Sequence, residues 1–396
     1  MVEIKRVIVI VLDGVGAGEA PDAALYGDSG SNSLSNTARA VGGFKLPELE
    51  ALGFGHITPM LGVAAVAQPG GAYGRMQPVS AGKDSITGHW ELMGVHLQQP
   101  FPTYPNGFPP EVIDAFTQRT GLAVLGNKAA SGTEILIELG EAHMRSGKPI
   151  VYTSADSVFQ IAAHEEIIPI ERLYELCEIS RQILQGEHAV GRVIARPFRG
   201  ASAETFQRTP RRRDYPLTPA ADTVMDKLLR QGRQVRAAGK IDDLFGGRGI
   251  SHTNHTTDNQ SSIWAMLDYL DAEFEGLLIT NLIEFDMIYG HRNDPRGYAA
   301  ALEAFDRHVP DILRRLRPGD LVMLAADHGV DPTTASTDHS REFSPLLVFG
   351  PAVKGGVDLG RRGAYSDVAA TIAEVFGLEP PAVGKSFLGE VLLNSA

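Results

Sequence analysis

The chain has 396 residues, 43% of them apolar and 21% charged, so it can bury more than one hydrophobic core and two domains are expected. Its net charge of −12 excludes a general nucleic-acid-binding role, because phosphate backbones attract basic surfaces. The single cysteine, Cys177, excludes an intrachain disulfide framework. The apolar run at residues 7–12 is shorter than the roughly 20 residues of a membrane span. We therefore expect a cytoplasmic protein with no membrane partner, and the sequence indicates no protein partner.

Three apolar runs rich in β-branched residues each end in an acidic residue. KRVIVIVLD ends at Asp13 and leads into a glycine-rich loop, GLLITNLIEFD ends at Asp286, and DLVMLAADHG ends at Asp327 and His328. Residues 297–316, between the last two runs, have helical spacing. This alternation of strand, helix and strand predicts a parallel sheet with helices on its faces.

Proline-rich stretches at residues 98–110 and 215–219 flank a segment with a different pattern. Between them lie the helix-like EVIDAFTQRTG and the strand-like IVYTSADSVFQIAA and GRVIARPF. We therefore predict an inserted α+β domain at residues 100–218, within a core domain made of residues 1–99 and 219–396.

Six side chains are candidates for binding metal ions. They are Asp13, Asp286, His291, Asp327, His328 and His339. The carboxyl ends of parallel strands share one edge of an open sheet, so the residues that follow the three strands are expected to converge there. His291 follows Asp286 at loop distance, and His339 follows a segment long enough to fold back over the same edge. Three carboxylates and three imidazoles can hold two divalent cations with open positions.

A pair of close metal ions is suited to phosphoryl transfer, because it can clamp the attacking and leaving oxygens. Such a site also needs a hydroxyl that acts as the nucleophile. The loop SAGKDSITGHWELMG offers Ser80, Ser85 and Thr87, and its spacing alone does not choose among them.

Arginines cluster in the second half of the inserted segment. They occupy positions 192, 196, 199, 208, 211, 212 and 213. In an acidic protein such a cluster favours a small phosphorylated ligand, and the alternative interpretation is a solvated basic face.

Several longer motifs occur in an order typical of one enzyme family. They are VLDGVG, AGKDSITGHWE, TSADS with QIAAHEE, GRVIARPF, NLIEFD with YGHRNDP, ADHGVDPT and TDHSREFSP. From residue 7 to beyond residue 345, the chain resembles the phosphopentomutases of the alkaline phosphatase superfamily. The resemblance implies an α/β fold, with an alkaline-phosphatase-like core whose mostly parallel sheet is sandwiched by helices, plus a smaller inserted α+β cap domain.

The resemblance also implies roles for the core candidates. One metal ion would be held by Asp286, His291 and His339, and the other by Asp13, Asp327 and His328. Manganese is the usual metal in the family. The loop match selects Ser85 as the hydroxyl that carries the phosphoryl group, although the family usually has threonine there. Serine offers the same oxygen without the methyl group, so we expect the chemistry to survive.

Four further residues match substrate-binding positions of the family. Arg192 and Arg208 would grip the far phosphate of the substrate, Asp156 would meet the sugar, and Lys240 would contact a phosphate from the core side. Arginine forks suit phosphate oxygens and a carboxylate suits sugar hydroxyls, so residue chemistry agrees with this assignment.

The activity implied by the resemblance is an isomerase reaction of nucleoside salvage and catabolism. Ribose 1-phosphate and ribose 5-phosphate, and the 2-deoxyribose pair, would interconvert through a phosphoserine and a sugar 1,5-bisphosphate. A primer such as glucose 1,6-bisphosphate could supply the first phosphoryl group. The alternatives are a phosphatase or a cofactor-independent phosphoglycerate mutase of the same superfamily, or a non-catalytic metal- or phosphosugar-binding protein.

Overall fold

The computed structural model describes residues 3–154 and 157–393. The chain divides into two compact units, Met1–Gln99 with Pro219–Ala396 and Pro100–Thr218. We call the first unit the core and the second the insertion. Within the described ranges, no helix is long and apolar enough to cross a membrane.

Strands and helices are numbered along the chain. The strands are β1 (Arg6–Leu12), β2 (Ala72–Met76), β3 (Leu125–Ala129), β4 (Ile150–Thr153), β5 (Val158–His164), β6 (Arg192–Arg199), β7 (Gln207–Arg208), β8 (Arg213–Pro216), β9 (Gln234–Ala238), β10 (His252–Asn254), β11 (Gly276–Leu282), β12 (Asp320–Ala325), β13 (Ser344–Phe349) and β14 (Asp358–Arg362). The α-helices are α1 (Ser33–Val41), α2 (Pro47–Leu52), α3 (Ser85–Leu92), α4 (Pro110–Thr120), α5 (Glu134–Ser146), α6 (Ile170–Ile183), α7 (Val224–Arg230), α8 (Ile241–Phe245), α9 (Asn259–Asp271), α10 (Pro295–Asp306), α11 (Val309–Arg315), α12 (Asp367–Phe376) and α13 (Leu388–Val391).

The core is built on one sheet with the strand order β10-β9-β11-β1-β12-β13-β2-β14. β1 pairs in parallel with both β11 and β12, whereas β13 runs antiparallel to its two neighbours. Ile8 and Ile10 of β1 pack into a cluster with side chains of α1, α9 and α10. Val7 and Val9 point to the opposite face and are also fully buried. Burial on both faces explains the continuous apolar runs and confirms the prediction of a mostly parallel sheet between helices.

The insertion has a mixed sheet and a hydrophobic core of its own. Its strand order is β3-β4-β5-β6-β7, with β8 paired to β6. Phe159 and Ile161 of β5 pack against α4 and α6, and Cys177 of α6 is fully buried in this cluster. A second cluster joins α5 to β4. This α+β composition agrees with the predicted fold class.

The segment at residues 297–316 differs from the prediction of one continuous helical stretch. It forms two helices, because α10 ends at Asp306 and α11 begins at Val309. Pro310 lies in the first turn of α11, where its missing N–H is not needed. Inside a continuous helix the proline ring would clash with the carbonyl of Asp306 and remove a hydrogen bond.

Candidate metal centre

Three neighbouring strands bring acidic residues to one edge of the core sheet. The ends of β1 and β11 lie side by side, because Leu12 pairs with Leu282, and β12 pairs with the other side of β1. Asp13 follows β1 directly, Asp286 follows β11 by four residues and Asp327 follows β12 by two. All three carboxylates are buried, with at most 8% of each residue exposed. Parallel pairing therefore produces the convergence predicted from the sequence.

The Asp286 carboxylate lies on an unusual turn. Phe285–Tyr289 form a π-helical turn, and Gly290–Arg292 continue as a 3₁₀ turn. Asn293 ends this segment with a φ of 50°, which asparagine tolerates better than most residues. A Cβ on Gly290 would lie 2.4 Å from the Val330 side chain, so glycine allows the turn to approach the loop after β12. Single π turns often occur at functional sites, and this one places His291 beside Asp286.

A first group of possible ligands comprises Asp286, His291 and His339. Asp286 Oδ1 lies 3.3 Å from His291 Nε2 and 3.2 Å from His339 Nε2. His291 Nδ1 donates to the Thr337 carbonyl oxygen at 2.7 Å. That bond fixes the ring and leaves Nε2 available to a metal ion, as is usual for metal-binding histidines.

A second group comprises Asp13, Asp286 and His328. His328 Nε2 lies 3.4 Å from Asp13 Oδ1 and 3.3 Å from Asp327 Oδ2. His328 Nδ1 lies 3.0 Å from the Gly329 carbonyl oxygen, which again leaves Nε2 facing the carboxylates. Asp286 thus belongs to both groups. The set expected from the sequence had Asp327, not Asp286, with Asp13 and His328. Asp327 lies beside these residues, and its Oδ1 accepts hydrogen bonds from two backbone N–H groups.

The residues present fit divalent cations. Buried polar atoms usually have hydrogen-bond partners, and leaving one without a partner costs about 1–3 kcal/mol. Within the described part of the chain, four buried atoms at this edge make no hydrogen bond: Asp13 Oδ1, Asp286 Oδ1, Asp327 Oδ2 and His339 Nε2. Carboxylate and imidazole atoms that converge without bonding to each other are the donor set of a metal site.

The charges at this edge strongly perturb the histidines and carboxylates. Burial raises the pKa of Asp286, but the surrounding histidines outweigh burial and hold it well below its usual range. Burial lowers the pKa of His328, but the nearby carboxylates, Asp327 foremost, raise it well above its usual range. The adjacent Asp286 carboxylate raises the pKa of His291 to about 9. The carboxylates thus attract positive charge to this edge, and cations would compete with the histidine protons for it.

Ser85 is the first residue of α3 and faces this cluster. Asp84 caps the helix by accepting from Thr87 N at 3.0 Å. Ser85 Oγ lies 3.0 Å from His328 Nε2. Of the other candidate hydroxyls, Thr87 donates to the Asp84 carboxylate, and fully buried Ser80 accepts from a backbone N–H. α3 also packs directly on the loop after β12, since a Cβ on Gly88 would lie 1.9 Å from the Asp327 carbonyl oxygen.

Sequence reasoning missed two buried residues that hold the loop before Ser85. Arg341 Nη1 donates to the carbonyl oxygens of Ser80 at 2.7 Å and Gly82 at 2.6 Å. Its Nε and Nη2 bond the carboxylate of Asp22. Glu91 accepts from backbone N–H groups on the same loop, including that of Ser80 at 2.7 Å. Both residues lie in quoted motifs, yet no residue type or spacing signals these contacts.

Glu342, also missed, joins the loops that carry the candidate ligands. Its carboxylate accepts from the N–H groups of Gly18 at 3.1 Å and Ser33 at 2.9 Å. It also accepts from the hydroxyls of Ser33 and Ser340, both at 2.7 Å. Burial raises the pKa of Glu342 to about 7. The residue therefore ties the loop after β1 to the loop that carries His339.

The candidate substrate-binding residues lie in both units. In the core, Lys240 Nζ lies 3.2 Å from Met287 Sδ, next to Asp286 in sequence. In the insertion, Arg192 starts β6 and lies 3.6 Å from Asp214, and Arg208 lies exposed on β7. Asp156 lies outside the described residues.

The neighbouring arginines are mostly engaged. Glu165 pairs with Arg199 at 2.6 Å and with Arg211 at 3.1 Å, and Asp214 pairs with Arg212 at 2.7 Å. No carboxylate of the described residues lies within ion-pair distance of Arg208.

Comparison with known proteins identifies the family. The chain matches the family model of the Metalloenzyme superfamily over residues 5–380. It is 63% identical to a phosphopentomutase of Herpetosiphon aurantiacus, over 98% of this chain and 100% of that protein. It is 57% identical to a phosphopentomutase of Carboxydothermus hydrogenoformans, over 98% of this chain and 99% of that protein.

A solved structure of similar fold is Leishmania mexicana phosphoglycerate mutase. It aligns over 99% of this chain and 98% of that chain with a TM-score of 0.50 and 12% identity, which supports the fold alone. The family is identified by the sequence identity to the two phosphopentomutases, which extends over nearly the whole chain. The chain belongs to the phosphopentomutase family of the metalloenzyme superfamily.

Proposed function

We propose that this chain interconverts ribose 1-phosphate and ribose 5-phosphate, and the 2-deoxyribose pair, in nucleoside salvage and catabolism. The observation that carries the proposal is the Ser85 hydroxyl, 3.0 Å from His328 Nε2 and beside two groups of possible metal ligands. Identity above 50% to phosphopentomutases over nearly the whole chain supports the same reaction.

Two divalent cations, Mn²⁺ in this proposal, complete the site. One set of ligands is Asp286, His291 and His339, and the other is Asp13, Asp327 and His328, with Asp286 also close enough to Asp13 and His328 to be shared between the two ions. When bound, such cations polarise phosphoryl oxygens and favour the ionised form of a nearby hydroxyl. The buried atoms without hydrogen-bond partners at this edge support the assignment.

Ser85 carries the phosphoryl group between the two ends of the sugar. In the resting enzyme it is a phosphoserine. A sugar hydroxyl attacks its phosphorus, the bond from Ser85 Oγ to phosphorus breaks, and a sugar 1,5-bisphosphate forms. The bisphosphate turns around, and Ser85 Oγ takes the other phosphate as its bond to the sugar breaks. The net result is an isomerisation that consumes no water, with catalysis supplied mainly by positioning and electrostatic stabilisation.

The insertion serves as the substrate-binding lid. Arg192 and Arg208 bind the far phosphate, Asp156 meets the sugar, and Lys240 of the core contacts a phosphate. The exposed position of Arg208, away from carboxylates of the described residues, supports its role, because a phosphate that forms a bidentate contact with its guanidinium would not have to displace one of those carboxylates. A closed lid excludes the water that would otherwise hydrolyse the phosphoserine.

The cycle starts only when Ser85 is phosphorylated. A sugar bisphosphate primer such as glucose 1,6-bisphosphate supplies that first phosphoryl group. Pentose phosphates carry charges that keep them from crossing membranes, which supports the cytoplasm as the place of reaction.

Phosphorus NMR tests the proposal directly. Ribose 1-phosphate is incubated with purified protein, Mn²⁺ and a trace of glucose 1,6-bisphosphate. We expect its signal to be replaced by that of ribose 5-phosphate, with little free phosphate. Free phosphate as the main product would identify a phosphatase instead, and an unchanged spectrum at any metal concentration would refute the proposed activity.

A further inference from the structure

Two buried residues, Asn281 and His89, contact the candidate metal ligands Asp13 and Asp327. Asn281 is the next-to-last residue of β11 and is fully buried. Its Nδ2 donates to Asp13 Oδ2 at 3.0 Å and lies 3.3 Å from His89 Nε2. Asn281 is the first residue of the motif NLIEFD, and His89 lies within the motif AGKDSITGHWE. The proposed reaction uses neither side chain.

His89 lies on α3, one helical turn after Ser85, and is fully buried. Its Nδ1 is 2.8 Å from the Ser85 carbonyl oxygen and 3.2 Å from Asp327 Oδ2. A single side chain therefore contacts both the backbone of the candidate nucleophile and a candidate metal ligand. With Asn281 it forms a continuous path from Asp13 to Asp327.

The hydrogen-bond partners fix where the protons lie. Two oxygens face His89 Nδ1, so this nitrogen carries a proton, and Nε2 of the neutral ring accepts from Asn281. A rotated Asn281 amide would point its oxygen at Asp13 Oδ2, so two acceptors would face each other.

We propose that His89 and Asn281 are positioning residues for the metal centre. They orient the carboxylates of Asp13 and Asp327 for metal binding and, through the Ser85 carbonyl, hold the start of α3 against them. The part that concerns Ser85 rests on the proposed function, whereas the effect on metal binding does not require it. Partners behind the ligands commonly set metal affinity by about 10- to 100-fold.

Metal titration of variants tests the proposal without substrate. Asparagine at position 89 can place an amide nitrogen where Nδ1 donates, whereas glutamine reaches only the Nε2 side. We would therefore compare His89→Asn, His89→Gln and Asn281→Ala by calorimetric titration of metal-free protein with Mn²⁺.

A matched control is a buried histidine in the insertion. His143 also uses both ring nitrogens, with Nδ1 2.7 Å from the Lys148 carbonyl oxygen and Nε2 accepting from His164 N at 2.9 Å. The variant His143→Gln reports the cost of losing such a ring away from the metal ligands.

The expected pattern separates positioning from general stability. His89→Gln and Asn281→Ala weaken Mn²⁺ binding by about 10- to 100-fold, and His89→Asn loses less than tenfold. His143→Gln lowers the melting temperature but leaves Mn²⁺ affinity unchanged. Wild-type affinity in folded His89→Gln and Asn281→Ala, or equal losses in His89→Asn and His89→Gln, would overturn the proposal.

A second measurement needs no folded variant. In wild-type protein loaded with diamagnetic Mg²⁺ and labelled with ¹⁵N-histidine, we expect His89 to carry its proton on Nδ1 alone. A proton on Nε2 would overturn the contact with Asn281. Neither readout involves pentose phosphates, so failure of the proposed reaction in the phosphorus NMR assay would remain distinguishable from failure of this inference.

Discussion

The core and the insertion treat their charged residues in opposite ways. At the core edge, Asp13 and His328 are almost completely buried, at 4% and 2% exposed, and each is held by neighbours from distant parts of the chain. In the insertion, Arg199 and Arg211 are about half exposed and share one carboxylate, Glu165. The difference indicates that the core fixes the geometry of the chemistry, whereas the insertion presents charges that can rearrange around a ligand. Substitutions at the core edge should therefore abolish turnover, whereas substitutions in the arginine cluster of the insertion should reduce substrate affinity by smaller amounts.

The largest effect is expected at Ser85. Replacing it with alanine removes the oxygen that carries the phosphoryl group, so turnover should fall on the order of 10⁶-fold, as for loss of other covalent nucleophiles. Mn²⁺ affinity, measured by titration, should change little. Ser85→Thr keeps the hydroxyl and should retain measurable turnover. Substantial mutase activity in Ser85→Ala would contradict the role of this residue.

The next largest effect is expected at Asp286, which belongs to both ligand groups. Asp286→Asn keeps the shape but removes the charge, so metal binding should be lost from both groups and turnover should fall on the order of 10³-fold. His291 belongs to one group, and His291→Asn should leave the other group loaded. Counting Mn²⁺ per chain by equilibrium dialysis separates the two outcomes. Equal metal content in the two variants would show that Asp286 is not shared.

A smaller effect is expected at Glu342 and depends on pH. Burial raises its pKa from the usual 4.5 to about 7, so the folded state holds a proton that the unfolded state releases. Its contribution to stability is fully present below pH 4.5 and is lost as pH rises to about 7, a change of about 3 kcal/mol. Glu342→Gln cannot titrate and should gain that amount relative to wild type over this range. Urea unfolding in EDTA at several pH values measures the difference, and a pH-independent difference would refute the assignment.

The smallest effects are expected in the insertion. Arg208→Met removes charged hydrogen bonds worth about 1.5–3 kcal/mol, so KM for ribose 5-phosphate should rise by about 10- to 100-fold. Arg211→Met removes an arginine already paired with Glu165, and KM should change by less than about threefold. Steady-state kinetics of the two variants at saturating Mn²⁺ makes the comparison. An equal rise in KM would mean that the cluster acts as an undifferentiated basic surface.

The convergence of acidic residues at the core edge was predictable from the sequence, because it follows from the order and direction of the strands. Apolar runs mark buried strands, and parallel neighbours must end at the same edge, which brought Asp13, Asp286 and Asp327 together. His339 was harder to place, since a loop can return in many ways, yet it lies 3.2 Å from Asp286. The break between α10 and α11 was overlooked, although Pro310 signalled it.

The residues that support the site could not be read from the sequence. Arg341 and Glu91 act through backbone atoms of the loop before Ser85, and the Arg341 bond to Ser80 spans 261 positions. Such contacts leave no periodicity and require no particular residue type at the other end. The sequence shows the arginine cluster but not the partners of its members. Arg211 differs from Arg208 by its ion pair with Glu165, which only the structure reveals.

One measurement tests the central claim most directly. The protein is phosphorylated with ³²P-labelled glucose 1,6-bisphosphate, and the labelled peptide is located before and after a chase with unlabelled ribose 5-phosphate. We predict that the label first lies on Ser85 and then moves to pentose phosphate. Label on another residue, or its release mainly as free phosphate during the chase, would contradict transfer through Ser85.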